Sequence, residues 1–164
     1  MCLLCISGCG DWTPIEEYKP LPASAKHKGK SLDEWVELLD STEQSLRLQA
    51  VEAMEKYGPN AARAVPRLVE LLDEPEPMPL FAVSALDRVG PEAKPAVSRL
   101  LALVEERPDL RASAVGVLGE IGPGAAEAVP VLCTLPGNPD ETYVVKRCAT
   151  WALGSIRSLL GLRC

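Results

Sequence analysis

Residues 46–72 read LRLQAVEAMEKYGPNAARAVPRLVELL, and two altered copies of this stretch follow downstream. The central dipeptide Gly58-Pro59 returns twice at the same interval, as Gly90-Pro91 and Gly122-Pro123. Apolar positions on both sides keep that interval: Ala50, Ala82 and Ala114; Met54, Leu86 and Leu118; Val65, Val97 and Val129; Leu68, Leu100 and Leu132. A fixed period of about 32 residues falls in the range that is typical of solenoids and other repeat arrays.

Within each unit the apolar residues follow helical spacing. Ala50, Met54 and Tyr57 stand at i, i+4 and i+7, so they share one face of a helix. Gly58 marks the end of that helix, because glycine accepts the left-handed conformation of a C-terminal cap and the proline after it cannot continue the helix. Pro66 suits the first turn of a second helix. Each unit is therefore predicted to be a helix, a Gly-Pro turn and a second helix.

The repeat pattern divides the chain into three parts. Residues 1–8 are predicted to be a truncated signal or leader, residues 9–30 an extended linker, and residues 31–164 an all-α domain. Ser31 and Glu34 form a capping box at the start of the domain. Its predicted boundaries are 31–40 for a cap helix, 43–73, 77–105 and 108–135 for helix pairs, and about 142–160 for a partial unit, which follows a three-residue insertion around 137–139.

These units resemble the HEAT-repeat superfamily, particularly the short bacterial HEAT-like repeats that also occur in phycobilisome lyases. The resemblance covers about residues 31–160 and implies a right-handed α-solenoid of about 3.5–4 helix pairs, whose second helices line a concave, partner-binding face. Pro79 departs from the family pattern, which often has a basic residue early in the first helix. The matching residues are Leu46-Arg47, Ala50, Ala53-Met54, Tyr57-Gly58-Pro59, Ala64-Val65-Pro66, Leu68 and Leu71-Leu72, with Arg111 and Lys146 in later units.

Charge and composition narrow the classes of function. The formal net charge is −6, whereas nucleic-acid binding needs a basic surface that neutralises phosphates. We therefore expect a non-catalytic scaffold or adaptor that binds a protein or peptide and takes no nucleic acid, cofactor or metal. The alternative is a HEAT-like lyase, or a lyase-chaperone, acting on a tetrapyrrole-carrying protein. That alternative follows from the resemblance in fold alone.

Candidate partner-binding residues come from the second helices. Arg63, Arg67 and Glu70 are expected to face outward, and Arg99 stands one full period beyond Arg67. Two stacked arginines on a concave face suit a carboxylate of the partner. The alternative is that they are solvated charges on a helix surface. The third unit has Val131 at this position, so the predicted row of arginines is short.

No constellation of residues indicates a catalytic or metal site. The single histidine, His27, falls in the predicted linker and would have to fold back onto the helical domain to join a Ser-His-Asp or Cys-His site. Cys2, Cys5 and Cys9 supply three thiolates but no fourth zinc ligand nearby. The catalytic, cofactor-binding and metal-binding residues are therefore predicted to be none.

The N-terminus suggests an anchor. Ile6-Ser7-Gly8-Cys9 resembles a bacterial lipobox, which implies lipidation of Cys9, a lipoprotein of the cell envelope, and membrane contact only through that lipid. Eight uncharged residues before Cys9 depart from a signal peptide, which has a positive n-region and a longer apolar core. If the match is accidental, the protein is expected to be cytoplasmic.

Two further expectations concern the C-terminal part. Cys133 and Cys148 replace apolar positions of the register, so both are expected to be buried thiols, with a mutual disulfide as the alternative. Leu159, Leu160 and Leu162 follow the last helix where a polar cap is expected. An uncapped solenoid end exposes apolar surface, which predicts self-association there, coverage by a partner, or a longer product that has been cut short.

Overall fold

A computed structural model describes residues 18–157, and this part of the chain is helical without a β-strand. The prediction of an all-α protein is therefore confirmed for these residues. Three 3₁₀ helices, Gly58–Ala64, Gly90–Ala96 and Gly122–Ala128, each join the two α-helices of one unit. The α-helices are α1 (Leu32–Leu38), α2 (Gln44–Tyr57), α3 (Val65–Leu71), α4 (Met78–Val89), α5 (Val97–Glu106), α6 (Arg111–Ile121), α7 (Val129–Thr134) and α8 (Tyr143–Arg157).

The glycine of each Gly-Pro pair ends a first helix. Gly58, Gly90 and Gly122 have φ of +55°, +68° and +64°. Their ψ values of −127°, −134° and −135° differ from the left-handed helical cap that the sequence predicts. This region of backbone space is open essentially to glycine alone. A seven-residue 3₁₀ helix then follows instead of a short turn, with proline in its first turn, where an amide hydrogen has no partner to lose.

The first helices of successive units pack directly on one another. Helix α2 contacts α4, α4 contacts α6, and α6 contacts α8, while the second helices α3, α5 and α7 pack on the first helix that follows each of them. Each of these first helices buries at least one alanine, and small side chains let helix axes approach closely. The fully buried alanines of the first helices are Ala50, Ala53, Ala82, Ala85, Ala114, Ala149 and Ala152.

The cap helix begins as the sequence predicts. The Ser31 hydroxyl accepts a hydrogen bond from the Glu34 amide at 3.3 Å, and the Glu34 carboxylate accepts one from the Ser31 amide at 2.7 Å, so the capping box is confirmed. These hydrogen bonds to Ser31 lower the pKa of Glu34. The buried ring of Trp35 connects α1 to the segment before it. Its Nε1 donates a hydrogen bond to the His27 carbonyl at 2.9 Å.

Residues 18–30 pack along α2. The Leu21 amide donates to the Lys56 carbonyl at 2.8 Å, and the Tyr57 hydroxyl donates to the Ala25 carbonyl at 2.7 Å. The Tyr18 hydroxyl donates to the Glu55 carbonyl at 2.6 Å, and its ring lies 4.5 Å from the Arg88 guanidinium carbon. This packed segment differs from the extended linker expected over residues 9–30. The rest of that linker and the leader at 1–8 lie outside the described residues.

One stretch, Arg111–Thr134, is long and apolar enough to cross a membrane by length and composition, with a mean hydropathy of 1.2. Within the protein, 56% of that window is buried. The chain also breaks its α-helical path at Gly122, where α6 ends and a 3₁₀ helix begins. A core helix passes the same test of length and composition, so this stretch is weak support for a membrane span.

Candidate functional site

Helices α1, α3 and α5, with the residues that follow them, form a surface that we call the second-helix face. Arg67 of α3 connects two units across it. Its Nη1 donates to Glu70 Oε2 at 2.6 Å, and its Nε lies 2.8 Å from Asp40 Oδ1 beyond α1. Arg67 and Asp40 therefore form an ion pair, although the hydrogen on Arg67 Nε has no hydrogen-bond acceptor. Arg67 therefore carries carboxylates on two sides.

Arg99 of α5 repeats this arrangement one unit later. Its Nε donates to Asp73 Oδ1 at 2.9 Å, and its Nη1 donates to Glu106 Oε2 at 2.9 Å. Asp73 is equivalent to Asp40, because residues 36–40 and 69–73 both read VELLD. The hydrogen bonds to Glu106 and Asp73 raise the pKa of Arg99 against the opposing effect of its partial burial. Arg67 and Arg99 thus each pair with the equivalent aspartate of the preceding unit.

The structure places Arg67, Glu70 and Arg99 on the second-helix face, whereas Arg63, which was expected on a second helix, lies in the 3₁₀ helix Gly58–Ala64 before α3. It brings Arg67 and Glu70 into direct contact, whereas Arg99 pairs with other carboxylates and Arg63 pairs with Asp33 of α1. The three arginines are therefore engaged by carboxylates of their own chain. Cys9, the tentative lipidation site, lies outside the described residues.

Carboxylates are the outermost charges of this face. The side chains of Asp40 and Glu70 are 74% and 66% exposed, whereas that of Arg67 is 28% exposed. The same difference holds at Arg99, which is 25% exposed beside a 60% exposed Asp73. A molecule approaching this surface meets carboxylate oxygens before guanidinium groups. The face therefore presents negative potential, which attracts cationic groups.

Three further arginines join loops of neighbouring units. Arg47 Nη2 donates to Glu74 Oε2 at 2.9 Å, and Arg111 Nη1 donates to Glu141 Oε1 at 2.7 Å. Arg107 contacts Glu76 of the preceding loop. Sequence reasoning noted Arg47 and Arg111 only as matches to a family pattern and missed their partners. Those partners lie 27 and 30 residues away, nearly one repeat, and that spacing was the available signal.

A second surface lies on α8. Tyr143 and Trp151 are 72% and 45% exposed, and the Arg147 guanidinium carbon lies 5.6 Å from the Tyr143 ring centroid. Together with Lys146, Thr150 and Pro136 they line a shallow, open depression of about 500 Å³. Its openness distinguishes it from the enclosed pockets that bury most of a small molecule. In residues 18–157, no group of three or more His, Cys, Asp or Glu side chains is placed to hold a metal ion.

The two internal cysteines differ in state. Cys133 of α7 is disulfide-bonded, whereas Cys148 of α8 is a buried thiol. The alternative of a Cys133–Cys148 disulfide is therefore wrong, and so is the expectation that Cys133 is a thiol. The expectation of a buried thiol at Cys148 is confirmed. Cys2, Cys5 and Cys164 lie outside the described part of the chain.

No protein-family model matches the chain, and no curated protein matches it.

Proposed function

We propose that the chain is a non-catalytic scaffold, a right-handed α-solenoid of HEAT-like units that binds a partner protein or peptide along its second-helix face. The observation that carries this proposal is the repeated pairing of Arg67 with Asp40 and of Arg99 with Asp73. Units that stack in register present the same groups at regular intervals, which suits an extended partner.

The partner segment is cationic in this proposal. A carboxylate oxygen that accepts from arginine keeps further lone pairs, so exposed Asp40 and Asp73 can also accept from a lysine or arginine of the partner. Solvent-exposed ion pairs contribute about 0–1 kcal/mol each, so the existing pairs can rearrange at little cost. This reverses the expectation that the arginines bind a partner's carboxylate, because their hydrogen-bonding groups already face carboxylates.

The lipid anchor at Cys9 is part of the same proposal. Residues 18–30 pack on α2, so only the residues between Cys9 and Tyr18 remain to separate the domain from the lipid. The nine steps along the chain from Cys9 to Tyr18 span at most about 30–32 Å when fully extended. An anchored domain would therefore lie close to the membrane surface, with α1 and α2 nearest to it in sequence.

Binding of a fluorescently labelled lysine-rich peptide tests the cationic-partner proposal by fluorescence anisotropy. The test variant is Asp40→Asn with Asp73→Asn, and the charge-matched control is Glu55→Gln with Glu92→Gln, which lie on α2 and on the 3₁₀ helix Gly90–Ala96. We expect the test variant to bind up to about 30-fold more weakly, from two exposed contacts of up to about 1 kcal/mol each, and the control to bind nearly as the wild type. An equal loss in both variants would show that only net charge matters, and absence of peptide binding to the wild type would also reject the proposal.

A further inference from the structure

One basic side chain of the repeat differs from its equivalents in the charge that it meets. Arg47 of α2, Arg111 of α6 and Lys146 of α8 stand at the same position of the register. Arg47 donates to Glu74 and Arg111 donates to Glu141, in each case a glutamate of the loop that leads into the next unit. Among the residues that the structure describes, no carboxylate lies within ion-pair distance of Lys146. Its charge is therefore left for a carboxylate from another molecule.

Exposed aromatic rings surround this lysine. Lys146 is partly buried and lines the shallow depression on α8. Tyr143, Arg147 and Trp151 follow one another at four-residue spacing along the open side of the helix, and Tyr143 and Trp151 are 72% and 45% exposed. Tryptophan, tyrosine and arginine are the residues that most often dominate binding energy at protein interfaces. The depression therefore has the composition of an interaction surface.

Both rings are held in place before anything binds. The Trp151 ring rests on α6, since a Cβ added to Gly119 would lie 2.3 Å from Trp151 Cζ3. The Arg147 guanidinium carbon lies 5.6 Å from the Tyr143 ring centroid, which is within the range of a cation–π contact. Side chains that are already ordered lose less entropy when a partner binds. These contacts therefore favour binding at this surface.

The charge of the surface identifies the kind of partner. Helix α8 carries Lys146, Arg147 and Arg157 and no acidic residue, although the formal net charge of the chain is −6. None of the residues that line the depression is acidic. Glu141, which precedes the helix, is 8% exposed and is bound to Arg111. The depression therefore presents positive potential, which attracts acidic segments.

The repeat itself does not require these aromatic side chains. Pro108 and Gly116 stand at the positions of Tyr143 and Trp151 one unit earlier. The contact with Gly119 accounts for part of the Trp151 ring, whereas most of Tyr143 lies in solvent. An exposed apolar patch that is bordered by polar side chains is typical of a protein-binding site.

We propose that Tyr143, Lys146, Arg147 and Trp151 bind a short acidic segment of a partner protein. A carboxylate of that segment pairs with Lys146, as the two glutamates pair with the equivalent arginines, and an apolar side chain of the segment lies against the two rings. The depression is open, which suits a peptide lying on the surface better than an enclosed small molecule. This site is separate from the second-helix face, because the two surfaces differ in charge and take different ligands.

Fluorescence anisotropy with the full chain tests the site, and the probe is the fluorescein-labelled peptide Leu-Glu-Glu-Leu-Glu-Glu. The wild type should bind this peptide. Lys146→Gln should weaken binding about 10-fold or more, which corresponds to the loss of a hydrogen bond between charged groups. Tyr143→Ala should weaken it about 5-fold or more, as for an aromatic residue that anchors an interface. Lys146→Arg should retain binding, since arginine holds a carboxylate at the two equivalent positions.

Lys56→Gln and Leu80→Ala are the matched controls, because each removes an exposed side chain of the same kind outside α8. Both should bind the acidic peptide as the wild type does, and circular dichroism verifies that every variant is folded. Absence of binding to the wild type would overturn the proposal. An equal loss in Lys146→Gln and Lys56→Gln would also overturn it, because only net charge would then matter.

A second peptide, with lysine in place of each glutamate, separates this site from the second-helix face. Its binding should be weakened by Asp40→Asn with Asp73→Asn and unaffected by Tyr143→Ala. If the wild type binds the lysine peptide but not the acidic one, the site on α8 is rejected and the second-helix proposal stands. If it binds only the acidic peptide, the reverse holds.

Discussion

Gly119 of α6 lies beneath the indole ring of Trp151 from α8, and replacing it with alanine should destabilise the protein. An added Cβ would lie 2.3 Å from Trp151 Cζ3, 2.8 Å from Cε3 and 3.0 Å from the Cα of Ala152. Non-bonded carbon atoms prefer about 3.5–4.0 Å. The ring can move outward, because Trp151 is 45% exposed, but the Ala152 contact is with backbone. Helix α8 must therefore shift relative to α6.

Two opposing effects set the size of the change. Overpacking of a close helix contact costs about 1–3 kcal/mol. Alanine in place of glycine favours the helix by about 1 kcal/mol. Because one contact falls more than 1 Å inside the normal separation, we expect the upper part of the first range and a net loss of about 1–2 kcal/mol. For a domain of this size that loss lowers the melting temperature by roughly 2–8 °C.

Urea unfolding followed by circular dichroism measures this loss, and Gly154→Ala is the matched control. Gly154 also lies within α8, but a Cβ there would meet no atom within 4 Å. The control should therefore stabilise the protein by about 0.5–1 kcal/mol. The destabilisation from Gly119→Ala should also shrink in a Trp151→Ala background. If Gly119→Ala stabilises the protein as much as Gly154→Ala, the ring does not pack on Gly119.

Three further predictions concern contacts that hold the units together. Glu141→Gln should lower the free energy of unfolding in urea by about 1–2 kcal/mol, because the Glu141 carboxylate is 8% exposed and accepts a hydrogen bond from Arg111 at 2.7 Å. An unchanged free energy of unfolding would show that this pair is not formed. Tyr57→Phe removes the hydrogen bond to the Ala25 carbonyl, so stability should fall by about 1 kcal/mol and trypsin should cut residues 18–30 faster. Burial, and repulsion from Asp87, raise the pKa of Glu120 above its usual value. The folded state therefore binds this proton more tightly than the unfolded state does, and the stability that this contributes is lost as the pH rises through the raised pKa. Glu120→Gln should accordingly stabilise the protein at pH 7 more than at pH 3, and an equal effect at both would exclude titration as the cause.

The helices and their order follow from local rules that the sequence displays. Gly58 and its two equivalents mark helix ends because their backbone angles suit glycine, and the apolar spacing around Ala50 identifies the buried faces. The capping box at Ser31 is local as well, since it depends on residues three positions apart. Such features need no knowledge of distant contacts.

The packing of residues 18–30 was not predictable in the same way. Tyr18 and Leu21 contact main-chain carbonyls of α2, and a carbonyl carries no residue-specific signal in the sequence. The low apolar periodicity of this segment indicated a linker, whereas single hydrogen bonds and the rings of Trp35 and Tyr57 hold it in place.

The sequence predicted where the candidate site lies, but it did not predict the charge of the partner that the site would attract. The register placed Arg67 and Arg99 on one face, and the repeated VELLD sequence supplied Asp40 and Asp73. Their pairing depends on how far one unit is displaced from the next, which the period alone does not determine. That displacement brings each arginine into contact with the aspartate that ends the preceding VELLD sequence, and it changes the expected partner from anionic to cationic.

The central claim is that the domain is a stack of interchangeable units, and an in-register deletion tests it most directly. Removing residues 83–114 deletes one full period and joins Ala82 to Val115 with the buried face preserved. Removing residues 83–112 instead shifts the following residues by two positions, which turns the apolar face of a helix away by about 200°. We predict that circular dichroism shows a helical protein with a cooperative thermal transition for the first deletion and loss of both for the second. If the in-register deletion unfolds the chain as completely as the shifted one, the domain has a single shared core and is not a solenoid.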